Sequence, residues 1–412
     1  MDFNDTEAEA AFRAEVRRFL EANAPRRRDD QPQSAPRSYD EETLARARRW
    51  QACKAAAGFA GITWEERWGG RGGTAFQQVI YNQEEAHFDV PPNLFGIGLG
   101  MCIPTLMVYA SPAQLDRHVR PALYGEEVWC QLFSEPGAGS DLAGLRTRAV
   151  RDGDHWIVDG QKIWTSGAHF ADFGLLLTRT DPAAPKHAGI TAFFIDMKSP
   201  GIEVRRIRQI SGTSNFCEVY FSGLRVPDAQ RLGEVGGGWK VALTTLMNER
   251  LAVGEAPRPG VDDLLALVRA TELDGVPSLA HPAVRERLAD WYVKSQGLRY
   301  TRYRTMTRLS RGQTPGPEAS IGKLVGANLL QEMAGYGMDL AGQAGALTDE
   351  ALAPMRAWFQ HAVLYAPSVR IAGGTDEVLR NIIAERVLGL PADIRVDKNV
   401  PFGQQRSAVG RR

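Results

Sequence analysis

The chain has 412 residues, with 49 Lys and Arg against 49 Asp and Glu, so its formal net charge is zero. Hydrophobic residues at 43% and aromatics at 8% exclude a disordered chain, and the length allows two or three domains with ample core. Neutrality argues against a protein that coats nucleic acid or an anionic membrane, although local basic clusters stay open.

Residues 1–127 read as helical. Phe12, Val16, Phe19 and Leu20 recur at helical spacing, and Leu44–Ala57 continues the pattern. QPQSAPRS (31–38) reads as a loop, and GGRGG (69–73) breaks the chain before a helix around Gln77–His87. Asp2, Asp5, Glu7, Glu9 and Glu15 argue against a mitochondrial transit peptide, and no secretory hydrophobic region precedes them. From Val90 to Leu115 there is no charge, long enough for a membrane span. Pro91, Pro92, Pro104 and Pro112, with Gly96, Gly98 and Gly100, interrupt it, so a buried helix with flanking loops is the expectation and no membrane span is expected.

Residues 128–232 change to strand grammar. Arg148–Arg151 and Asp154–Asp159 flank Asp152-Gly153, which predicts a two-residue hairpin turn. Phe173–Thr180, Gly189–Asp196 and Phe216–Phe221 are further strands rich in β-formers. Residues 233–390 return to helix, over Trp239–Val253, Val261–Ala270, Pro282–Ser310 and Glu318–Leu340. A last helix is capped by Thr375, carries Asp376 and Glu377 in its first turn, and stops at Gly389 and Pro391. Residues 391–412 form a tail. Cys53, Cys102, Cys130 and Cys217 are scattered without a CxxC pair, and the seven histidines hold no HxxxH, so reduced thiols in the cytoplasm are expected and no metal site is.

Four segments carry candidate chemistry. In WCQLFSEPGAGSD (129–141), Gly137 and Gly139 permit close backbone approach while Ser134 and Ser140 offer hydroxyls, as a phosphate or polar ring would need. Taken alone it is also an ordinary Gly-rich turn; a GxGxxG or Walker A loop is absent. In QKIWTSGAH (161–169), Trp164 followed by Thr165 and Ser166 offers a stacking face and hydroxyls, or else a structural Trp. Glu249 has Leu246, Ala252, Thr245 and Val253 at i±3 and i±4, none basic, so it lacks a helical ion pair. A carboxylate on such a face has the raised pKa of a general base; an exposed Glu, or one paired with Arg250, is the plain alternative. IAGGTDEVLRN (371–381) sets two glycines and a threonine at a helix N-terminus, a site for a carbonyl or anion or simply a cap.

Together these segments resemble the flavin-dependent acyl-CoA dehydrogenases over nearly the whole chain. SEPGAGSD (134–141) is the most specific motif; GITWEERWGGRGG (61–73), LRVPDAQRLG (224–233) with GGGW, and GGTDEVLRNIIAERVLGLP (373–391) add to it. The resemblance implies an α+β multidomain fold: a helical N-terminal domain, a β-barrel-like middle domain and a C-terminal four-helix bundle, with FAD bound between them. It implies α,β-desaturation of an acyl-CoA thioester to a 2-enoyl-CoA. A carboxylate takes the α-proton, the β-hydrogen leaves as hydride to flavin N5, and electrons pass on to an electron-transferring flavoprotein. By position, Ser134, Gly139, Ser140, Trp164, Ser166, Gly374 and Thr375 match FAD contacts, and Ser140, Arg250 and Gly373 fall to the substrate.

Many members carry Glu before the Gly-Thr of the last motif, where this chain has Gly373. A smaller branch places Glu before Arg, which is Glu249-Arg250 here, so Glu249 is the candidate base. The Gly373 N–H is then a donor to the thioester carbonyl. Two family motifs depart: no Phe occurs from Ser222 to Trp358, so Arg-x-x-Phe is missing, and Gln-x-x-Gly-Gly-x-Gly is degraded, with Gly342 and Gly345 surviving. Both bear on FAD contacts between subunits and raise a heteromeric partner beside a homo-oligomer. An acyl-CoA oxidase and a partner subunit of a heteromeric dehydrogenase stand as alternatives. Between Trp291 and Pro317 six basic residues (Lys294, Arg299, Arg302, Arg304, Arg308, Arg311) meet no acidic one, a solvated face by default or a positive surface for a phosphate or partner.

Overall fold

A computed structural model describes residues 5–27, 38–252, 259–310, 316–317, 319–394 and 399–404; the side chains of residues 249–252, 306, 309, 310 and 319 also lie outside the description. The predicted loop at 31–38 falls outside it except for Ser38. The chain divides into two compact units: residues 1–37, 74–89 and 254–392 form one, and residues 38–73, 90–253 and 393–412 the other.

The first unit is helical. α1 (Glu7–Asn23) starts at a capping box in which Thr6 and Glu9 bond each other's backbone N–H, and it buries Phe12, Val16 and Leu20. α3 (Ala75–Glu85) packs on it, and buried Glu84 holds Arg13 at 2.8 Å and Arg17 at 2.6 Å. Then α7 (Val261–Ala270), a two-stranded ribbon of β9 (Glu272–Leu273) and β10 (Val276–Pro277), α8 (Pro282–Ser310), α9 (Ala319–Leu340) and α10 (Trp358–Val369) follow. Leu264, Leu267, Leu288, Trp291, Leu329, Met333 and Phe359 share the core of this four-helix bundle. α10, with Pro367 inside it, is the bundle helix that the sequence pattern did not announce. α11 (Asp376–Ile382) starts at Thr375, whose hydroxyl accepts from the Val378 N–H at 3.3 Å. On α8, Lys294 pairs with Asp290 at 2.8 Å, so the basic run includes an ordinary i,i+4 surface pair.

The second unit is built on a sheet. Its helices are α2 (Glu41–Ala56), α4 (Ile103–Tyr109), α5 (Pro112–Leu123) and α6 (Gly238–Ala252). Its strands are β1 (Trp129–Leu132), β2 (Arg148–Asp152), β3 (His155–Ser166), β4 (Phe173–Arg179), β5 (Ile190–Asp196), β6 (Ile202–Ile207), β7 (Phe216–Pro227) and β8 (Arg231–Leu232). They run in the order β6-β7-β3-β2-β4-β5-β8, with β1 parallel to β4. The path has two ends, so the barrel-like middle domain is corrected to an open mixed sheet: β6 and β8 do not pair with each other.

Strand alternation explains the two faces. Leu175 and Leu177 of β4 and Ala192 and Phe194 of β5 meet Ile103, Leu106 and Val241 of the helices, while Leu176, Phe193 and Ile195 meet Val158, Val219 and Val226. The hairpin forms, one residue later than predicted: Asp152 pairs with His155, so Gly153 and Asp154 are the central residues. Gly153 has φ of 63°, which a glycine takes without cost. The uncharged stretch folds as a π turn (Gly98–Cys102) running into α4. No helix among the described residues is long and apolar enough to cross a membrane. A Cβ on Gly98 would stand 3.2 Å from that of Trp129, so this glycine serves close packing.

Candidate active site

The loop after β1 is clamped by buried charge. Glu135 and Ala138 exchange backbone hydrogen bonds at 3.0 Å, closing a tight turn through Pro136 and Gly137. The Glu135 carboxylate accepts from the backbone N–H groups of Arg146 (2.6 Å) and Thr147 (2.9 Å) and from Lys162 Nζ (2.8 Å). Lys162 is 0% exposed and also donates to the Phe133 carbonyl at 3.0 Å. Burial alone would raise the Glu135 pKa, but Lys162 and the two N–H donors outweigh it and hold the carboxyl below its usual range. Burial also pulls the Lys162 ammonium down, against the opposing pull of Glu135. Both ends of the loop are thereby fixed on one ion pair that removal of either partner would leave uncompensated.

Beyond the turn the loop is open. Among the described residues a Cβ on Gly137 or Gly139 would find nothing within 4 Å, and Gly139, Ser140 and Asp141 are exposed. Neither glycine is demanded by packing within the chain, which leaves the surface free for a flat or phosphate-bearing ligand. Ser134 is half-buried, and its carbonyl accepts from the Ile163 N–H at 2.9 Å, joining the loop to β3.

The next residue is Trp164. The β3–β7 register slips between Lys162 and Thr165, and in that bulge Trp164 has φ of 59° and is 56% exposed. Left-handed backbone at a bulky residue costs roughly 1–3 kcal/mol and is held by surrounding structure. Here the result is a large aromatic face kept in solvent, next to the loop, with Phe216 edge-on at 6.2 Å. Ser166, two residues on, is half-buried at the strand end. A stacking face, an open glycine edge and hydroxyls are the chemistry that an isoalloxazine ring needs.

The other predicted residues are distributed as follows. Glu249 and Arg250 lie on the backbone of α6, but their side chains fall outside the described residues. One turn earlier, buried Thr245 meets buried Thr105 at 3.0 Å between hydroxyls. Gly373, Gly374 and Thr375 belong to the helical unit, with φ of 66° and 97° at the two glycines. Lys323 donates to the Gly374 carbonyl, and Asp376, read as a helix-dipole residue, also pairs with Arg370 at 2.7 Å. Ser134, Gly139, Ser140, Trp164 and Ser166 all lie in the sheet unit, where the Ile163–Ser134 backbone bond ties the loop to β3 one residue before Trp164.

Sequence reading missed the Glu135–Lys162 pair and Arg179. A signal existed for Lys162: it stands on the inward row of β3 with Trp156 and Val158, where a charge needs a partner.

A helical segment, an open mixed sheet and a four-helix bundle, with this loop and tryptophan, define a flavoenzyme class. Three family models match in succession: acyl-CoA dehydrogenase, N-terminal domain over residues 6–126, middle domain over 130–224 and C-terminal domain over 236–388. The chain belongs to the acyl-CoA dehydrogenase family, FAD-binding oxidoreductases of acyl-CoA. It is 35% identical to acyl-CoA dehydrogenase IpdE1 of Mycobacterium tuberculosis over 93% of this chain and 98% of the relative. It is 40% identical to acyl-CoA dehydrogenase FadE34 of the same organism over 78% of this chain, but that match spans only 43% of FadE34. Among solved structures, the Tcur3481-Tcur3483 steroid ACAD aligns with a TM-score of 0.77 and 29% identity, covering 95% of this chain and 100% of that one. The ChsE4-ChsE5 complex from Mycobacterium tuberculosis aligns at 0.76 and 26% identity, covering 95% and 100%.

Proposed function

We propose that this chain desaturates an acyl-CoA thioester between its α and β carbons, with Glu249 as the base. The observation that carries the reading is Trp164, held exposed on left-handed backbone one residue beyond the bond that ties β3 to the SEPGAGSD loop. Ser134, Gly139, Ser140, Trp164, Ser166, Gly374 and Thr375 hold the FAD, and the chemistry FAD supplies when bound is acceptance of the β-hydride.

The chain's own residues do the rest. In the sequence Glu249 has no basic residue at i±3 or i±4, so no helical ion pair neutralises it. A carboxylate in low dielectric is a stronger base, and it takes the α-proton of the thioester. The Gly373 N–H polarises the thioester carbonyl and so acidifies that proton. Ser140 and Arg250 orient the CoA ester. Electrons leave to an electron-transferring flavoprotein. The free thiols, three of them buried, favour a reducing compartment such as the cytoplasm.

For substrate, a polycyclic acyl-CoA comes first: a steroid ACAD is among the solved relatives, and Gly373 stands where many members carry Glu. For assembly, two solved relatives are heteromeric by title, and this chain lacks the Arg-x-x-Phe motif, so a related second subunit fits better than a homo-oligomer.

Glu249→Gln is expected to keep FAD bound and to abolish flavin bleaching by acyl-CoA, with at least a thousandfold loss of rate; undiminished bleaching would reject Glu249 as base. Fast peroxide formation without added acceptor would turn the reading to an oxidase.

A further inference from the structure

Arg179, at the end of β4, is 4% exposed, and among the described residues no carboxylate is bonded to it. Its guanidinium is spent on carbonyls instead. It donates to Ala143 (2.5 Å), to Leu145 through two nitrogens (3.3 and 3.4 Å) and to Lys186 (2.5 Å). Ala143 and Leu145 lie directly after the SEPGAGSD loop, and the Arg179 N–H reaches the Thr147 carbonyl at 2.6 Å. Burial pulls this guanidinium down to about 10, against the opposing through-space pull of Glu135, Asp141 and Asp181.

One face of the guanidinium is covered by a segment remote in sequence. Phe402 lies with its ring centroid 3.9 Å from Arg179 Cζ, and Arg146 stands 5.7 Å from the same ring. The segment is docked on the β4–β5 loop: Phe402 N–H bonds the Ala184 carbonyl at 2.9 Å, Gly403 N–H bonds that of Pro182 at 2.8 Å, and Pro401 bridges to Pro185. The same β4–β5 loop reaches back through Lys186 to Asp141 of the motif at 3.2 Å. A buried cation bonded to neutral carbonyls gains from a ring that excludes water and lends it a negative face.

We propose that Phe402 is a positioning residue for the flavin loop, acting through Arg179, so that segment 399–404 sets how tightly residues 134–147 hold the cofactor. This rests on the reading of that loop as part of the FAD site.

The test compares holoenzyme carrying Phe402→Leu, Phe402→Tyr or Trp164→Ala with the parent. Flavin dissociation is followed by fluorescence, and amide hydrogen exchange is followed at Arg146 and Thr147. Phe402→Leu keeps the apolar volume but loses the ring; it is expected to weaken FAD binding roughly 3- to 30-fold, the range of such contacts. It is also expected to speed exchange at the two amides, and Phe402→Tyr is expected to restore both. Parental flavin affinity and exchange in Phe402→Leu, with flavin lost from Trp164→Ala, overturn the role of Phe402 and leave the site reading intact. Full retention of flavin by Trp164→Ala rejects the site reading, and this proposal with it.

Discussion

Trp164 separates two roles that usually travel together, since its backbone opposes folding while its side chain serves the ligand. A φ of 59° costs a tryptophan roughly 1–3 kcal/mol, whereas glycine adopts it freely and loses about 0.5–1 kcal/mol more chain entropy. The exposed ring returns little packing in exchange. Trp164→Gly is therefore expected to leave the melting temperature of the flavin-free protein unchanged or slightly raised, while flavin affinity falls at least tenfold. A drop in both would mean that the ring supports the fold, and calorimetry with flavin titration separates the two. The Glu135–Lys162 pair has the opposite character. It touches no proposed ligand atom, yet it fixes both ends of the loop from inside the sheet.

Among the elements, the close approach of the π turn at 98–102 to β1 limits what the sheet unit tolerates. Trp129 is stacked on Phe173 at 5.0 Å and meets His118 edge-on at 5.3 Å, so it has nowhere to retreat from a Cβ at 3.2 Å. Gly98→Ala is expected to cost about 1–3 kcal/mol by overpacking, read as a shift in urea midpoint. An unchanged midpoint would show that the turn and β1 can give way to the added methyl. Element type was legible wherever the pattern was long or the turn chemistry strong: α8 and α9 keep their predicted spans within a residue, and Thr375 caps as read. The hairpin was legible in kind but slipped by one residue, because Gly153 can serve either turn position and pairing across β2 and β3 decides. Sheet closure was not legible, since strand sequences carry no record of which edges meet. Site residues in contiguous motifs could be read; the Arg179–Phe402 contact joins positions 223 apart in number and leaves no local trace.

At the scale of the molecule, the helical unit carries exposed Leu352, Ile371, Leu388 and Leu390. The second subunit proposed above can be tested at these residues. Leu388→Asp is expected to lower the assembly state in sedimentation velocity; an unchanged distribution would remove that surface from the interface.

The division into units also governs how the protein is made. Residues 7–23 and 75–85 belong to a core whose remaining helices begin only after residue 254. At about 5–20 residues per second, the ribosome leaves α1 and α3 waiting on the order of ten seconds or more. For that interval they have chiefly one another, and α3 lacks the α8 surface it packs on. The sheet unit, by contrast, has its strands in hand once residue 232 has emerged. The nascent chain is therefore expected to acquire the unit bearing Trp164 first and to be most dependent on chaperones at its own N-terminal helices.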